Sequence, residues 1–283
     1  MEKYYRFAGV ELAVSLPQGQ DFSDDILAPF LAETVTDPHR FSFQIVPQLP
    51  SPEGPLQAGL PDCAIYAPPW GQQRYINAIG GRWEDAAMCC NHRGKDHLVL
   101  LRQDRFSNGM TAKTILNACA AEHLLAQADG FVLHCALVEF EGKAIVFTAP
   151  SGTGKSTQAA LWAHYCNARI CNGDRAAIRV DGGRILGEGL PFSGSSQICE
   201  NVSLPLAAIV YLTQAPLSQC TKLTGAKAFA RVWEGISINT WDKADIEAVS
   251  HTLQQLLLSV PVYQLDCTPD ETAVTALLQQ LRK

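Results

Sequence analysis

Apolar and polar residues alternate over residues 4–14 and again over 41–46, the two-residue period of a half-buried strand. Residues 47–69 are too rich in proline for a regular helix and read as an extended connection over the surface. Residues 98–101 form another short apolar run, and Ser107-Asn108-Gly109 is a turn signal. The texture then changes. Over residues 110–127 apolar side chains (Ile115, Leu116, Cys119, Leu124, Leu125) recur near helical spacing with few charges, which predicts one mostly buried helix stopped by Asp129-Gly130. Residues 131–140 and 143–148 are apolar runs split by Glu141-Gly142, the pattern of a β-hairpin. Helical patterns follow at 155–165, 225–234, 244–259 and 270–281, and strand patterns at 168–172, 176–180, 184–186, 206–212 and 262–265.

The pattern therefore changes from strands and loops to alternating strands and helices. With 283 residues this favours two unequal domains: a smaller β-rich domain over 1–107 and an α/β domain over 108–283 with a mixed central sheet. A hydrophobic fraction of 47% against 18% charged supplies a sizeable core and excludes a disordered chain. The net charge of −6, with Lys and Arg scattered, excludes a nucleic-acid-binding stripe. No stretch reaches the roughly 18 consecutive apolar residues of a membrane helix, and residues 1–6 do not open a signal peptide, so a cytoplasmic protein is expected.

That expectation makes the ten cysteines reduced thiols. Cys89, Cys90, His92 and His97 form a cluster but lack the spaced pairs of a structural zinc site, so they read as ordinary strand and loop residues. Cys119 and Cys135, flanked by apolar residues, read as small core side chains.

The chemistry concentrates in Ala149-Pro150-Ser151-Gly152-Thr153-Gly154-Lys155-Ser156-Thr157, which fits the P-loop pattern with Ala149 in place of the first glycine. An apolar strand precedes it and a helical pattern follows, the context this motif requires. Small residues let the chain turn tightly, so the N–H groups of Gly152, Thr153, Gly154 and Lys155 can converge on phosphate oxygens at the positive end of a helix. Lys155 then adds a full charge for the β- and γ-phosphates, and the Ser156 hydroxyl is a magnesium ligand. Ser151 completes the loop and Thr157 opens the helix. A carboxylate is needed near the metal. Asp174 follows the strand at 168–172, and a strand parallel to and beside the loop strand would bring it to the carboxyl edge of the sheet. Asn172-Gly173-Asp174 is also an ordinary turn composition.

From about Met110 onward the chain resembles the HPr kinase/phosphorylase-like P-loop family, in particular compact members associated with peptide-modification systems. The residues that carry the resemblance are Leu133-His134-Cys135-Ala136, the P-loop, Asn172-Gly173-Asp174-Arg175, residues 189–196 and residues 259–267. The resemblance implies a kinase core of the HPr kinase and phosphoenolpyruvate carboxykinase type. It also implies transfer of a phosphoryl group from ATP, with Mg2+, to a hydroxyl such as serine in a protein or peptide, in chains that can form homo-oligomers. It places His134 in the active site and leaves residues 1–107 unmatched, a domain suited to recognising the acceptor.

In one respect the chain departs from that pattern. Where HPr kinases carry two adjacent acids, this chain has Gly173-Asp174-Arg175. Asp174 alone, Glu188 or His134 are then the choices for the general base. Arg175 suits either a transferring phosphate or an exposed ion pair. The loop Ser193-Gly194-Ser195-Ser196 faces the site or merely connects strands. Two other readings stay open: a nucleotide-binding regulator without catalysis, which the missing acid favours, and a carboxykinase-like enzyme acting on a small acid.

Overall fold

The computed structural model describes residues 2–106, 110–192 and 194–283. The chain is mixed α/β, with two mixed sheets and, among the described residues, six α-helices. It separates into two compact units between Ala121 and Glu122. The boundary and turn signal read at residues 107–109 lie outside the described residues.

The first unit holds a nine-stranded sheet. Its strands are β1 (Glu2–Phe7), β2 (Val10–Ser15), β3 (Leu31–Ala32), β4 (His39–Val46), β5 (Leu56–Gly59), β6 (Cys63–Tyr66), β7 (Gln72–Ile76), β8 (Met88–Arg93) and β9 (Asp96–Arg102). Residues 4–14 alternate as expected but fold back as the hairpin β1–β2, because Ala8 and Gly9 take φ of 45° and 74° and reverse the chain. The proline-rich stretch 47–69 is not merely a connection: it contains β5 and β6, with Cys63, Ala64 and Ile65 buried. Pro55, Pro61 and Pro68 fall just outside those strands, where a missing N–H removes no ladder bond.

Cys89 and Cys90 are neighbours on β8, so they face opposite sides of the sheet. Both are fully buried, and burial pushes the Cys89 thiol up to about 12. His97 on β9 is buried between His92 (Nδ1 to Nδ1, 3.0 Å) and His39 (Nε2 to Nδ1, 3.1 Å) and stacks on Phe41 at 4.2 Å.

The helix expected over 110–127 is two helices, α1 (Ala112–Cys119) and α2 (Ala121–Gln127), because Ala120 adopts a left-handed conformation at φ 51°. The second unit then runs β10 (Gly130–Phe140), β11 (Lys143–Thr148), α3 (Lys155–Cys166), β12 (Arg169–Asn172), β13 (Arg175–Asp181), β14 (Arg184–Gly189), β15 (Ser203–Gln214), β16 (Gln219–Leu223), α4 (Gly225–Trp233), β17 (Ile236–Ser237), α5 (Lys243–Ser259), β18 (Val262–Cys267) and α6 (Glu271–Leu281). Glu141 and Gly142, at φ 51° and 74°, make the tight turn of the β10–β11 hairpin.

β11 is central. It pairs antiparallel with β10 on one edge and parallel with β15 on the other, and β15 pairs parallel with β18. β10, β13, β14 and β15 also pair in succession, so the path β10-β13-β14-β15-β11 closes back on β10. Side chains alternate across this sheet. Leu133, Cys135 and Leu137 pack with Val232 of α4 and Val249, Leu253 and Leu256 of α5. Ala136 and Val138 pack on the other face with Trp162 of α3 and Val274 and Leu277 of α6. Each fully buried Leu contributes about 1.5–3 kcal/mol. β11 is thereby held on both edges and both faces, a rigid base for the loop that follows it. Among the described residues, no helix is long and apolar enough to cross a membrane.

Candidate functional site

Thr148 ends β11, and its Oγ1 donates to His134 O at 2.9 Å. The chain then turns through residues 149–154 into α3. Thr153 N–H closes this turn on Pro150 O at 3.3 Å. Gly152 and Gly154 adopt φ of 79° and 121°, which an L side chain rarely takes, and a Cβ at either would point into open space. Their glycine character therefore serves the backbone path, and it leaves the loop uncovered. Gly154 is the N-cap of α3, so the first helical turn begins at Lys155, with Ser156 and Thr157 exposed on it and Ser151 exposed in the loop. Lys155 is only 8% exposed, and its Nζ donates to Ala149 O at 3.0 Å and Pro150 O at 3.4 Å. Burial lowers its pKa from the usual lysine value, while the nearby Cys135 and Asp174 pull it back up.

Asp174 reaches the same edge by a route other than the one expected. β12 does run in the direction of β11, but β10 lies between them: it pairs antiparallel with both. β10 is long enough, at 11 residues, to pair with β12 and then with β13 along one edge. Residues 172–174 form the irregular step between those two strands. Cys135 N–H donates to Asp174 O at 3.0 Å, and Cys135 pairs with Thr148 across β10 and β11. Asp174, His134–Cys135 and Thr148 are thus in register across three adjacent strands, at the level where the loop begins.

Asn172 shapes that step. Fully buried, it donates from Nδ2 to Leu190 O and Phe192 O, and its Oδ1 accepts the N–H groups of Asp174 (2.9 Å) and Arg175 (3.0 Å). The Asp174 carboxylate is flanked by His134 Nδ1 at 3.7 Å and Arg175 Nε at 3.5 Å, ion-pair separations too long for good hydrogen bonds. Arg175 also approaches Glu122 at 3.8 Å and lies over the Phe192 ring at 5.0 Å. Burial, and then the charge of Lys155, lower the His134 pKa below its ordinary 6.5 against the opposing pull of Asp174. The shift favours the neutral imidazole.

Glu188, the other base considered from the sequence, is 3% exposed and tied to Arg179 at 2.8 Å and 3.3 Å. That engagement removes it from proton transfer.

The turn at residues 194–196 packs onto this step, with Ser193 outside the described residues. A Cβ at Gly173 would lie 2.2 Å from Ser196 Oγ and 2.7 Å from Ser196 Cβ, and one at Gly194 would lie 2.7 Å from Asp174 Cβ. Ser196 thus occupies the space that a side chain at residue 173 would need. Gly173→Asp should therefore destabilise the protein by about 1–3 kcal/mol through overpacking, read as a lower Tm, and an unchanged Tm would contradict the packing argument.

On the other side of the loop, toward β15 and β18, lies a groove of about 360 Å3 lined by Gly152, Thr157, Gln158, Gln214, Cys267 and Pro269, among others. A larger cavity, about 480 Å3, sits in the first unit around Arg40, Gln44, Arg93 and Asp96. A second polar cluster brings His123, Asp242 and Asp245 within 4.8 Å of one another. There His123 Nδ1 meets Asp245 at 2.7 Å and Asp242 caps α5, which makes it a helix-terminus network.

No family profile and no curated protein matches the chain. Among solved structures, the Hpr(Ser) kinase/phosphatase from Coxiella burnetii is similar over 53% of this chain and 87% of its own, at 11% identity and a TM-score of 0.29.

Proposed function

We propose that the second unit is a P-loop phosphotransferase that takes ATP with magnesium and passes the γ-phosphate to a hydroxyl, serine of a protein or peptide being the acceptor class the sequence resemblance implies. The observation that carries this reading is the strand–loop–helix unit with buried Lys155, in register with the Asp174–His134 pair. The loop fits a triphosphate: its glycines keep the backbone uncovered, it opens α3 at the positive end of the helix, and its one buried ammonium is held only by carbonyl oxygens. Ser156 and Asp174 supply the hard oxygen donors that magnesium prefers. A magnesium ion held by these residues would supply neutralising charge to the phosphate oxygens.

The chain's own residues do the rest. Loop amides and Lys155 bind and orient the phosphates. Arg175, already balanced between Asp174 and Glu122, is positioned to stabilise charge on a transferring group. His134, neutral and beside Asp174, accepts the proton of the attacking hydroxyl at Nδ1 or Nε2. Asp174 shares its charge with that imidazolium as it forms.

A general base works when deprotonated, and the His134 pKa lies below 6.5. The midpoint of the acid limb of the pH–rate profile should therefore lie below 6.5. His134→Gln should remove the acid limb and cost roughly 10²-fold in kcat. An acid limb that survives the substitution would place the base elsewhere.

To test the function, γ-labelled ATP and magnesium would be incubated with the protein and a library of serine-containing peptides. Label on a peptide hydroxyl supports the kinase. Nucleotide binding with neither transfer nor hydrolysis would leave the regulator reading, which the absent second acid otherwise favours.

A further inference from the structure

The cavity of the first unit lies within the size range of ligand sites at about 480 Å3, and the proposed chemistry does not use it. Its floor is an open face of the nine-stranded sheet: along β4, Phe41 and Phe43 are buried while Arg40, Ser42 and Gln44 are exposed. Strand register sets that floor out in rows. Arg40 on β4 and Arg93 on β8 both pair with Asp96 on the intervening β9, and in the next row Ser42 and Asn91 both pair with Leu98. The two arginines therefore start about 10 Å apart, two strand spacings, on one side of the sheet.

Two of these groups are held in place from behind. Trp70 Nε1 donates to Glu53 Oε2 at 2.8 Å, and the Arg93 guanidinium lies over the Trp70 ring at 4.3 Å. Stacking covers the face of that guanidinium and leaves its N–H edge open. Glu53 also fixes an amide. Its backbone N–H donates to Gln73 Oε1 at 2.9 Å, so Gln73 Nε2 is the end that donates to Asn91 Oδ1 at 3.1 Å. Gln73 is 1% exposed, which makes this a built orientation rather than a surface contact. Asn91 lines the cavity with its Oδ1 engaged, and Nδ2 remains to donate.

Arg40 makes one long contact, Nη1 to Pro38 O at 3.5 Å, and among the described residues neither arginine has a carboxylate within ion-pair distance. Of the acids on the lining, Glu2 accepts from the Tyr4 and Ser15 hydroxyls, and Asp96 stands in register between the two arginines. The cavity thus offers donors, two of them cationic, whose charge the chain does not itself satisfy. We infer that it docks an acidic stretch of extended peptide, one carboxylate meeting Arg93 and Asn91 and a second meeting Arg40. Side chains two or three residues apart on an extended chain are about 7–10 Å apart, which matches the separation of the arginines, whereas Asp96 between them disfavours one small anion bridging both. Every group named lies in the first unit, so this docking holds whether or not the second unit transfers phosphate.

The test is fluorescence anisotropy of a labelled short peptide of alternating glutamate and serine, titrated with the native protein and with Arg93→Gln, Arg40→Gln and Asn91→Asp, with Tm as the fold control. The last of these keeps an acceptor for Gln73 while replacing the free donor by a charge that repels the ligand. The native protein should bind the acidic peptide at least about tenfold more tightly than the same peptide with glutamine or lysine for glutamate, and each variant should lose about tenfold, the scale of one charge-assisted hydrogen bond. The two arginine side chains are exposed, so those variants should keep their Tm and carry the test if Asn91→Asp lowers it. Equal binding of the glutamine or lysine peptide would overturn the inference. So would unchanged affinity in both arginine variants, which would place the peptide elsewhere, or displacement of the peptide by free glutamate at equal carboxylate concentration, which would make this a site for small carboxylates.

Discussion

Lys155→Ala should abolish transfer from ATP: kcat/KM is expected to fall on the order of 10³-fold or more, and nucleotide affinity with it. The magnitude follows from what the ammonium does. It is the one side-chain cation built into the loop, 8% exposed and screened little by water, so its attraction for a triphosphate is far stronger than that of a surface lysine. In the protein as it stands, Nζ sits on Ala149 O and Pro150 O, a pair of neutral acceptors that a phosphate would outcompete. The substitution should leave the fold intact. It removes a partly desolvated charge from the start of α3, while the helix keeps the packing of Ala159 and Trp162 against the sheet. Lys155→Met, which retains the apolar stem, separates charge from volume and should be equally inactive with an unaltered Tm. Near-normal turnover in either variant would remove Lys155 from the chemistry.

Asp174→Asn is the second large effect. Turnover should drop by roughly 10³-fold at saturating magnesium, because the site loses the carboxylate that lies within ion-pair distance of His134. Triphosphate should still bind through the loop, but magnesium should no longer tighten it. The backbone step survives, since it is held by Asn172 Oδ1 and by Cys135 N–H, neither of which uses the Asp174 carboxylate. A secondary consequence has a definite sign. Asp174 raises the His134 pKa against burial, so removing its charge lowers that pKa further and moves any residual acid limb to lower pH. The readouts are the pH profile and the magnesium dependence of binding. Full activity in Asp174→Asn would mean that another group holds the metal.

The parts of this arrangement that depend on local sequence were legible. The run over 143–148, the small residues after it and the helical pattern from Lys155 specify strand, loop and helix by neighbouring residues alone, and the Glu141-Gly142 turn ties β10 to β11 in the same way. Long-range pairing was not. Nothing near Asp174 in sequence says that β10 inserts between β11 and β12, and the irregular step at 172–174 follows from that pairing. The exclusion of an acid at residue 173 arises from Ser196, more than twenty positions away in the chain. Two local signals misled as well: a helical period continued through Ala120 although its backbone turns left-handed, and prolines concealed β5 and β6 because they flank those strands rather than interrupt them.

The most direct test of the central claim is a calorimetric titration of the protein with a non-hydrolysable ATP analogue, in the presence and absence of magnesium. The account predicts one nucleotide bound per chain, tighter with magnesium than without, and no binding to Lys155→Ala. No heat of binding at millimolar analogue, or equal binding to the Lys155→Ala protein, would contradict it.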